Sequence, residues 1–187
     1  MEELELALNE FLKTGKGKSI LLELAAESYL EIIIKTLKKL QKKGLSGVYV
    51  SIQRPFKNIS SLLKKQGIGL NKLIFIDVAS AVSKETPEKC KGCVHVSSEL
   101  DVDELVRVLY TSLETMKSKK FIFIDSLTTF ALHKPISETL RFSEFLMRQI
   151  KDRKDIVLIL NVANDLSQNK FIQDVVAHAD KTIEVKT

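Results

Sequence analysis

The chain has 187 residues, of which 44% are hydrophobic and 28% charged, with a formal net charge of +5. This length fits a single domain, residues 1–187, with a sizeable core. No apolar stretch approaches a membrane span and the N-terminus is acidic, so we expect a cytoplasmic protein with no membrane partner. The positive charge comes mostly from dispersed lysines, which is typical of a solvated surface and also of thermophilic proteins.

Apolar runs typical of strands alternate with segments whose apolar residues recur at helical spacing. The predicted strands are residues 20–24, 47–52, 73–78, 121–125, 156–162 and 182–185. The predicted helices are residues 29–41, 101–116, 137–150 and 171–177. Asp101 and Glu104 form a predicted capping box at the start of the second helix. The alternation predicts a three-layer α/β/α fold with a mostly parallel sheet. Residues 79–98 lack such a pattern, and we expect them to form an irregular surface excursion.

The strand at residues 121–125 is a continuous apolar run that ends on Asp125 and Ser126. A run without polar alternation is typical of a strand buried on both faces, and its carboxyl end is where α/β folds bind ligands. This pattern is the outline of a Walker B strand. In a nucleotide hydrolase the aspartate would hold the magnesium of a bound triphosphate, and a glycine-rich phosphate loop would lie elsewhere in the chain.

The tripeptide Gly17-Lys18-Ser19 has the ending of a phosphate loop but not its context. The position five residues before Gly17 holds Leu12 instead of glycine, and the tripeptide precedes the first predicted strand. A phosphate needs successive backbone amides that converge at a helix N-terminus, which a turn entering a strand does not supply. We therefore expect that this tripeptide is not a phosphate site.

The position for a phosphate loop is the connection after the first predicted strand, which reads Ala25, Ala26, Glu27 and Ser28. This connection has no glycine for close backbone approach and no lysine for the outer phosphates. Glu27 is favourable at a helix N-terminus, but its charge lies where a phosphate would bind. The sequence therefore predicts a degenerate nucleotide site, with neither ATP nor magnesium as cofactor.

The chain resembles the KaiC-like ATPases of the RecA superfamily along nearly its whole length. The matching segments, in chain order, are residues 8–12, 17–22, Gly44 with 48–51, 121–130 and 179–183. The resemblance implies a RecA-like P-loop NTPase fold in which the strand at 156–162 lies between the first strand and the Walker B strand. The family carries catalytic glutamates after its second strand, where this chain has Gln53 and Arg54. An amide cannot act as a general base towards water, so this departure predicts loss of hydrolysis.

Two cysteines, Cys90 and Cys93, lie close to His95. This spacing can form half of a zinc site, although a closed tetrahedral site needs four ligands. The alternatives are two reduced thiols or a local disulfide in a protein from a hyperthermophile. Because the sequence shows too few ligands, we expect no bound zinc.

The sequence therefore predicts a pseudo-ATPase: a RecA-like domain that is no longer an enzyme and that binds protein, either a second copy or a partner ATPase. One alternative is an ATPase with an atypical phosphate loop built from Lys16 and Lys18. Another is a nucleic-acid-binding subunit of a recombination-type complex. For that alternative the relevant basic residues are Arg54, Lys57, Lys64 and Lys65. In the pseudo-ATPase, Asp125 persists for structure and accepts hydrogen bonds, for example from Gln53 or Ser28.

Overall fold

The structure is a computed structural model that describes residues 1–83, 91–97, 100–117, 119–164 and 170–185. The strands are β1 (Lys18–Leu24), β2 (Ser46–Ser51), β3 (Leu73–Asp77), β4 (Cys93–His95), β5 (Lys120–Asp125), β6 (Ile156–Ala163) and β7 (Lys181–Val185). The helices are α1 (Glu2–Thr14), α2 (Tyr29–Lys42), α3 (Phe56–Lys65), α4 (Ala79–Val82), α5 (Val102–Glu114), α6 (Leu127–His133), α7 (Ile136–Ile150) and α8 (Lys170–His178). Across these residues the strands form one seven-stranded sheet in the order β4-β3-β2-β5-β6-β1-β7.

Every pair of neighbouring strands is parallel, and helices cover both faces of the sheet. Side chains alternate along β5: Ile122 and Ile124 pack under α5, α6, α7 and α8, whereas Phe121 and Phe123 pack under α1, α2 and α3. Both faces of the central strands are therefore buried, as their unbroken apolar runs require. The predicted three-layer α/β/α fold is confirmed, and so is the place of β6 between β5 and β1.

The prediction of an irregular excursion over residues 79–98 is wrong at two places. Residues Ala79–Val82 form α4, and residues Cys93–His95 form β4, which pairs with β3 at the edge of the sheet. A strand of three residues is too short to produce a periodic signal in the sequence. The rest of that region, residues 84–90 and 98, lies outside the described residues.

Asp101 caps α5 as predicted, because its Oδ1 accepts hydrogen bonds from the backbone N–H groups of Asp103 and Glu104. In a capping box the Glu104 carboxylate would accept from the backbone N–H of Asp101, but here it binds a different residue. The carboxylate of Glu104 accepts from the backbone N–H of Ser97 at 3.0 Å and so anchors the segment that enters the helix. Within the described ranges, no helix has both the length and the apolar composition needed to cross a lipid bilayer.

Candidate functional site

Asp125 is the last residue of β5 and is completely buried at the carboxyl end of the sheet. Its Oδ2 accepts a hydrogen bond from the hydroxyl of Tyr49, which lies on the neighbouring strand β2. The ring of Tyr49 stacks on Phe123, with 5.2 Å between the ring centroids. The donor is therefore Tyr49, and neither Gln53 nor Ser28, the two donors suggested by the sequence, makes this contact. Gln53 is exposed.

Burial controls the charge of Asp125. Removal from water raises the pKa of this carboxyl group to about 8, because the ionised form loses its hydration. Burial also raises the pKa of the Tyr49 hydroxyl, which therefore remains a donor. At neutral pH Asp125 is consequently mostly an uncharged acid that accepts one hydrogen bond from tyrosine. A neutral carboxyl group is a poor ligand for magnesium.

Several buried polar atoms lie close to Asp125 at this edge of the sheet. Asn161 on β6 follows the Ile124–Leu160 pair in the register, so it lies beside Asp125 at the strand spacing of about 4.8 Å. Above them the guanidinium of Arg54 lies 6.0 Å from the ring centroid of Tyr29. Among the described residues, no hydrogen-bond partner is found for four groups at this edge: Tyr29 Oη, Arg54 Nη1, Asp125 Oδ1 and the Asn161 amide. Buried polar groups normally have partners, so this edge has the chemistry to hold water or a small polar ligand.

The connection from β1 to α2 is a tight turn of four residues, since β1 ends at Leu24 and α2 begins at Tyr29. The backbone N–H of Ser28 donates to the carbonyl of Ala25 at 3.2 Å, and the hydroxyl of Ser28 points to the same oxygen at 3.4 Å. Ala26 and Glu27 are exposed at the tip. A phosphate loop spans eight residues and points its backbone N–H groups at the bound phosphate. In this four-residue turn the N–H of Ser28 is instead used in a hydrogen bond to Ala25 within the turn.

The two remaining predicted site residues, Ser126 and Arg54, make hydrogen bonds that stabilise the neighbouring backbone. Ser126 is the N-cap of α6: its Oγ accepts from the backbone N–H of Thr129 at 3.2 Å and contacts the hydroxyl of Thr128 at 2.9 Å. Arg54 uses its carbonyl to accept from the hydroxyl of Ser51 at 2.5 Å, which closes the loop after β2. Ser126 is therefore engaged in capping, and only the side chain of Arg54 is directed towards the site.

The Gly17-Lys18-Ser19 tripeptide lies at the opposite end of the sheet. Lys18 is the first residue of the seven-residue strand β1, so it is roughly 20 Å from the carboxyl edge of the sheet. Its ammonium group pairs with Glu10. Ser19 binds Asp180, whose Oδ2 accepts from the Ser19 backbone N–H at 2.8 Å and from its hydroxyl at 2.7 Å. These residues join α1 and β7 to the start of β1.

The basic residues considered for nucleic-acid binding differ in their surroundings. Lys57, Lys64 and Lys65 are exposed on α3, which begins shortly after β2. Arg54 precedes that helix and is turned towards Tyr29. The arginine side chain therefore packs against Tyr29, whereas the three lysines are exposed on α3.

The predicted metal ligands lie at the other edge of the sheet from α1. Cys93 and His95 are on β4, with Sγ of Cys93 3.8 Å from Nε2 of His95. Cys90 lies outside the described residues. Asp77, the last residue of β3, was not anticipated from the sequence, and its Oδ2 is 3.5 Å from Nδ1 of His95.

The parallel sheet, its strand order and the polar residues at its carboxyl edge define a RecA-like α/β fold. Residues 13–187 match the family model described as "ATPase: KaiC", and the chain belongs to this KaiC family. No curated protein sequence gives a significant match.

Two solved structures from Pyrococcus horikoshii are similar to the chain. One is an uncharacterised protein in complex with an unknown peptide, with a TM-score of 0.72 and 18% identity over 100% of this chain and 83% of the other. The second is a KaiC-like protein with a TM-score of 0.60 and 15% identity over 91% and 73% of the two chains. At these identities the likeness concerns the fold.

Proposed function

We propose that this KaiC-family domain has lost ATP hydrolysis and acts as a non-hydrolytic module for binding or assembly. The observation that carries the proposal is the turn at residues 25–28, which replaces the phosphate loop with four residues. A turn of this length, with the amide of Ser28 bonded to Ala25, leaves no set of converging N–H groups for a triphosphate. The exposed carboxylate of Glu27 at its tip repels phosphate as well.

The rest of the site supports the same proposal. Burial raises the pKa of Asp125 to about 8, so the residue at the Walker B position is mostly neutral when magnesium would need a carboxylate. Gln53 stands where the family has a catalytic glutamate, and an amide cannot accept a proton from an attacking water. Glu27 thus disfavours phosphate binding, Asp125 disfavours metal binding, and Gln53 cannot act as the general base.

Thermal melting with millimolar MgATP tests the proposal. We expect no rise in melting temperature, because a ligand present at 100 times its dissociation constant would add about 2.7 kcal/mol of stability, which is easily detected. Lys18→Ala is the diagnostic variant, since Lys18 belongs to the only Gly-Lys-Ser tripeptide in the chain. A clear MgATP-dependent rise in the wild type would contradict the loss of nucleotide binding from which the proposal is argued, and phosphate release from ATP would contradict the loss of hydrolysis itself. Loss of the rise in Lys18→Ala would assign binding to the tripeptide.

An exposed apolar surface on α6 and α7 supports a role in assembly. Leu132 is 79% exposed, Ile136 50% and Phe145 39%. Phe145 lines a groove between α5 and α7 together with residues of both charges, including Asp103, Glu138 and Arg141, and with apolar residues such as Phe142. In a two-fold dimer the same surface meets itself, so a patch with both signs of charge can be self-complementary. We therefore favour a second copy of this chain as the occupant. The P. horikoshii protein in complex with a peptide is a precedent for a bound polypeptide on this fold.

Sedimentation equilibrium tests this surface. Leu132→Glu places a charge at the most exposed of these apolar side chains and should weaken self-association at least tenfold, which is about 1.4 kcal/mol. The matched control is Leu6→Glu, because Leu6 is a similarly exposed leucine (62%) on α1, in the opposite helical layer. Wild-type protein that stays monomeric at high concentration would contradict self-association, as would equal effects of the two substitutions.

A further inference from the structure

Three side chains with metal-binding atoms meet where β3 and β4 pair. In the register of these strands Cys93 lies beside Phe75 and His95 beside Asp77. Cys93 and His95 are two residues apart on one strand, so they point to the same face. The imidazole lies between the other two groups, with Nε2 3.8 Å from Sγ of Cys93 and Nδ1 3.5 Å from Oδ2 of Asp77. One ligand atom from each residue lies within 4.8 Å of the other two.

Asp77 adds a ligand that the sequence does not reveal, so against the expectation of no bound zinc we propose that Cys93, His95 and Asp77 bind a divalent transition-metal cation of the zinc class. In a tetrahedral zinc site, bonds of about 2.0–2.3 Å place neighbouring ligand atoms roughly 3.5 Å apart. A cation binds one imidazole nitrogen, so only one of the two contacts at 3.5 and 3.8 Å, which use different nitrogens, can join two ligands of the same ion. One ligand atom from each residue still lies within 4.8 Å of the other two, close enough for small side-chain rotations to bring all three onto one cation. A thiolate with an imidazole selects zinc-like metals over magnesium and calcium, which prefer oxygen ligands. Water or another group takes the fourth position.

Asp77 is held in place before any cation binds. Its Oδ1 accepts from the backbone N–H of Ser80 at 3.0 Å, and its Oδ2 accepts from the hydroxyl of Ser80 at 2.7 Å and from the backbone N–H of Phe56 at 3.0 Å. A carboxylate has about four lone-pair sites, so these three bonds occupy both sites of Oδ2 and leave one on Oδ1, which is the oxygen available to a cation. Asp77 is 1% exposed, whereas the side chain of His95 is 22% exposed, which gives a cation a path to the site.

The site is separate from the degenerate nucleotide site. In the sheet order, β2 lies between β3 and β5, so the cation and Asp125 are on different strands with another strand between them. A cation bound here would join the three-residue edge strand β4 to β3. Short edge strands have few backbone hydrogen bonds, and a metal that links two strands should stabilise the folded state. The cation thus has a structural role that does not depend on ATP.

Metal titration of the reduced, metal-free, full-length protein tests the proposal. Zinc affinity is measured by competition with a chromophoric chelator, and cobalt(II) is used as a spectroscopic probe. We expect one equivalent of metal, a sulfur-to-cobalt charge-transfer band and a higher melting temperature with zinc. His95→Gln and Asp77→Asn should each lower the affinity at least tenfold, and Cys93→Ser should remove the charge-transfer band. His133→Gln, at an exposed histidine on α6, is the control and should leave the affinity unchanged.

Two results would overturn this site. One is the absence of stoichiometric zinc or cobalt binding by the reduced protein. The other is wild-type affinity in His95→Gln, which would show that the thiols alone bind the metal. Because Asp77 also binds Ser80 and Phe56, the melt of Asp77→Asn without metal is compared with that of the wild type. If this variant does not fold, His95→Gln, at a partly exposed edge position, decides the question alone.

Discussion

Replacing Gly17 with alanine should destabilise the protein by about 3 kcal/mol or more, although the residue added is a single methyl group. A Cβ atom at position 17 would lie 1.7 Å from the carbonyl oxygen of Ile150 and 2.6 Å from that of Arg153. The first oxygen belongs to the last residue of α7 and the second to the turn that follows this helix, so relief requires movement of this backbone or of the start of β1. The glycine of the Gly-Lys-Ser tripeptide is thus explained by close packing of two backbones.

Urea unfolding of the wild type, Gly17→Ala and Lys18→Ala measures the loss of stability caused by the added methyl group. The matched control is Lys18→Ala, which removes the lysine of the tripeptide and its ion pair with Glu10. The Glu10 side chain is 61% exposed, so this pair is solvent-screened and its loss should cost about 1 kcal/mol or less. A Gly17→Ala variant within about 1 kcal/mol of the wild type would contradict the packing argument. So would a Lys18→Ala variant that is destabilised more than Gly17→Ala.

The sequence predicts the sheet well because its signal is local. Each central strand is buried on both faces, so it appears as an unbroken apolar run, and the runs that include Val48, Ile122 and Ile159 are all strands in the structure. The helices missed from the sequence are α1, α3, α4 and α6. The buried residues of α1 are Leu4, Ala7, Leu8 and Phe11. They recur at helical spacing, so the signal for this helix is present in the sequence and is overlooked.

The site is harder to predict because it depends on register between distant segments. The sequence identifies Asp125 and the missing phosphate loop, since each is read from one short segment. It does not identify Tyr49 as the hydrogen-bond donor, because the two residues are 76 positions apart and meet only through the pairing of β2 with β5. Asn161 and Asp77 are missed for the same reason. A polar residue at the end of a strand carries no local signal of which residue on another strand will lie beside it.

Asp125 should make the wild type lose stability as the pH rises from about 4 towards 8. In the unfolded chain this carboxyl group has the ordinary pKa of 3.8, whereas burial raises the folded-state pKa to about 8. Between these values the folded protein holds a proton that the unfolded chain has released, so rising pH favours unfolding. The slope is at most about 1.4 kcal/mol per pH unit and disappears above the folded-state pKa. The stabilisation is complete below the unfolded-state pKa.

Asp125→Asn should remove this part of the pH dependence. The amide cannot ionise, and its oxygen can still accept the hydrogen bond from Tyr49. We therefore expect the variant to be close to the wild type near pH 4 and more stable than it near pH 8. Urea unfolding over this range measures the difference between the two proteins, so that contributions from other carboxyl groups cancel. Equal slopes in the two proteins would show that Asp125 is ionised in the folded state.

Removal of the carboxyl group by Asp125→Leu should cost about 1–3 kcal/mol near pH 4, because the buried hydroxyl of Tyr49 loses its acceptor. The double variant Asp125→Leu with Tyr49→Phe removes both partners, and it should recover part of that loss.

Magnesium titration by calorimetry then connects the carboxyl group of Asp125 to function. A protonated acid at the end of β5 binds magnesium weakly at neutral pH, and Asp125→Asn should not change this weak binding. If the wild type binds magnesium at micromolar concentration and the asparagine variant does not, Asp125 is a working metal ligand and the proposed loss of ATP chemistry is wrong.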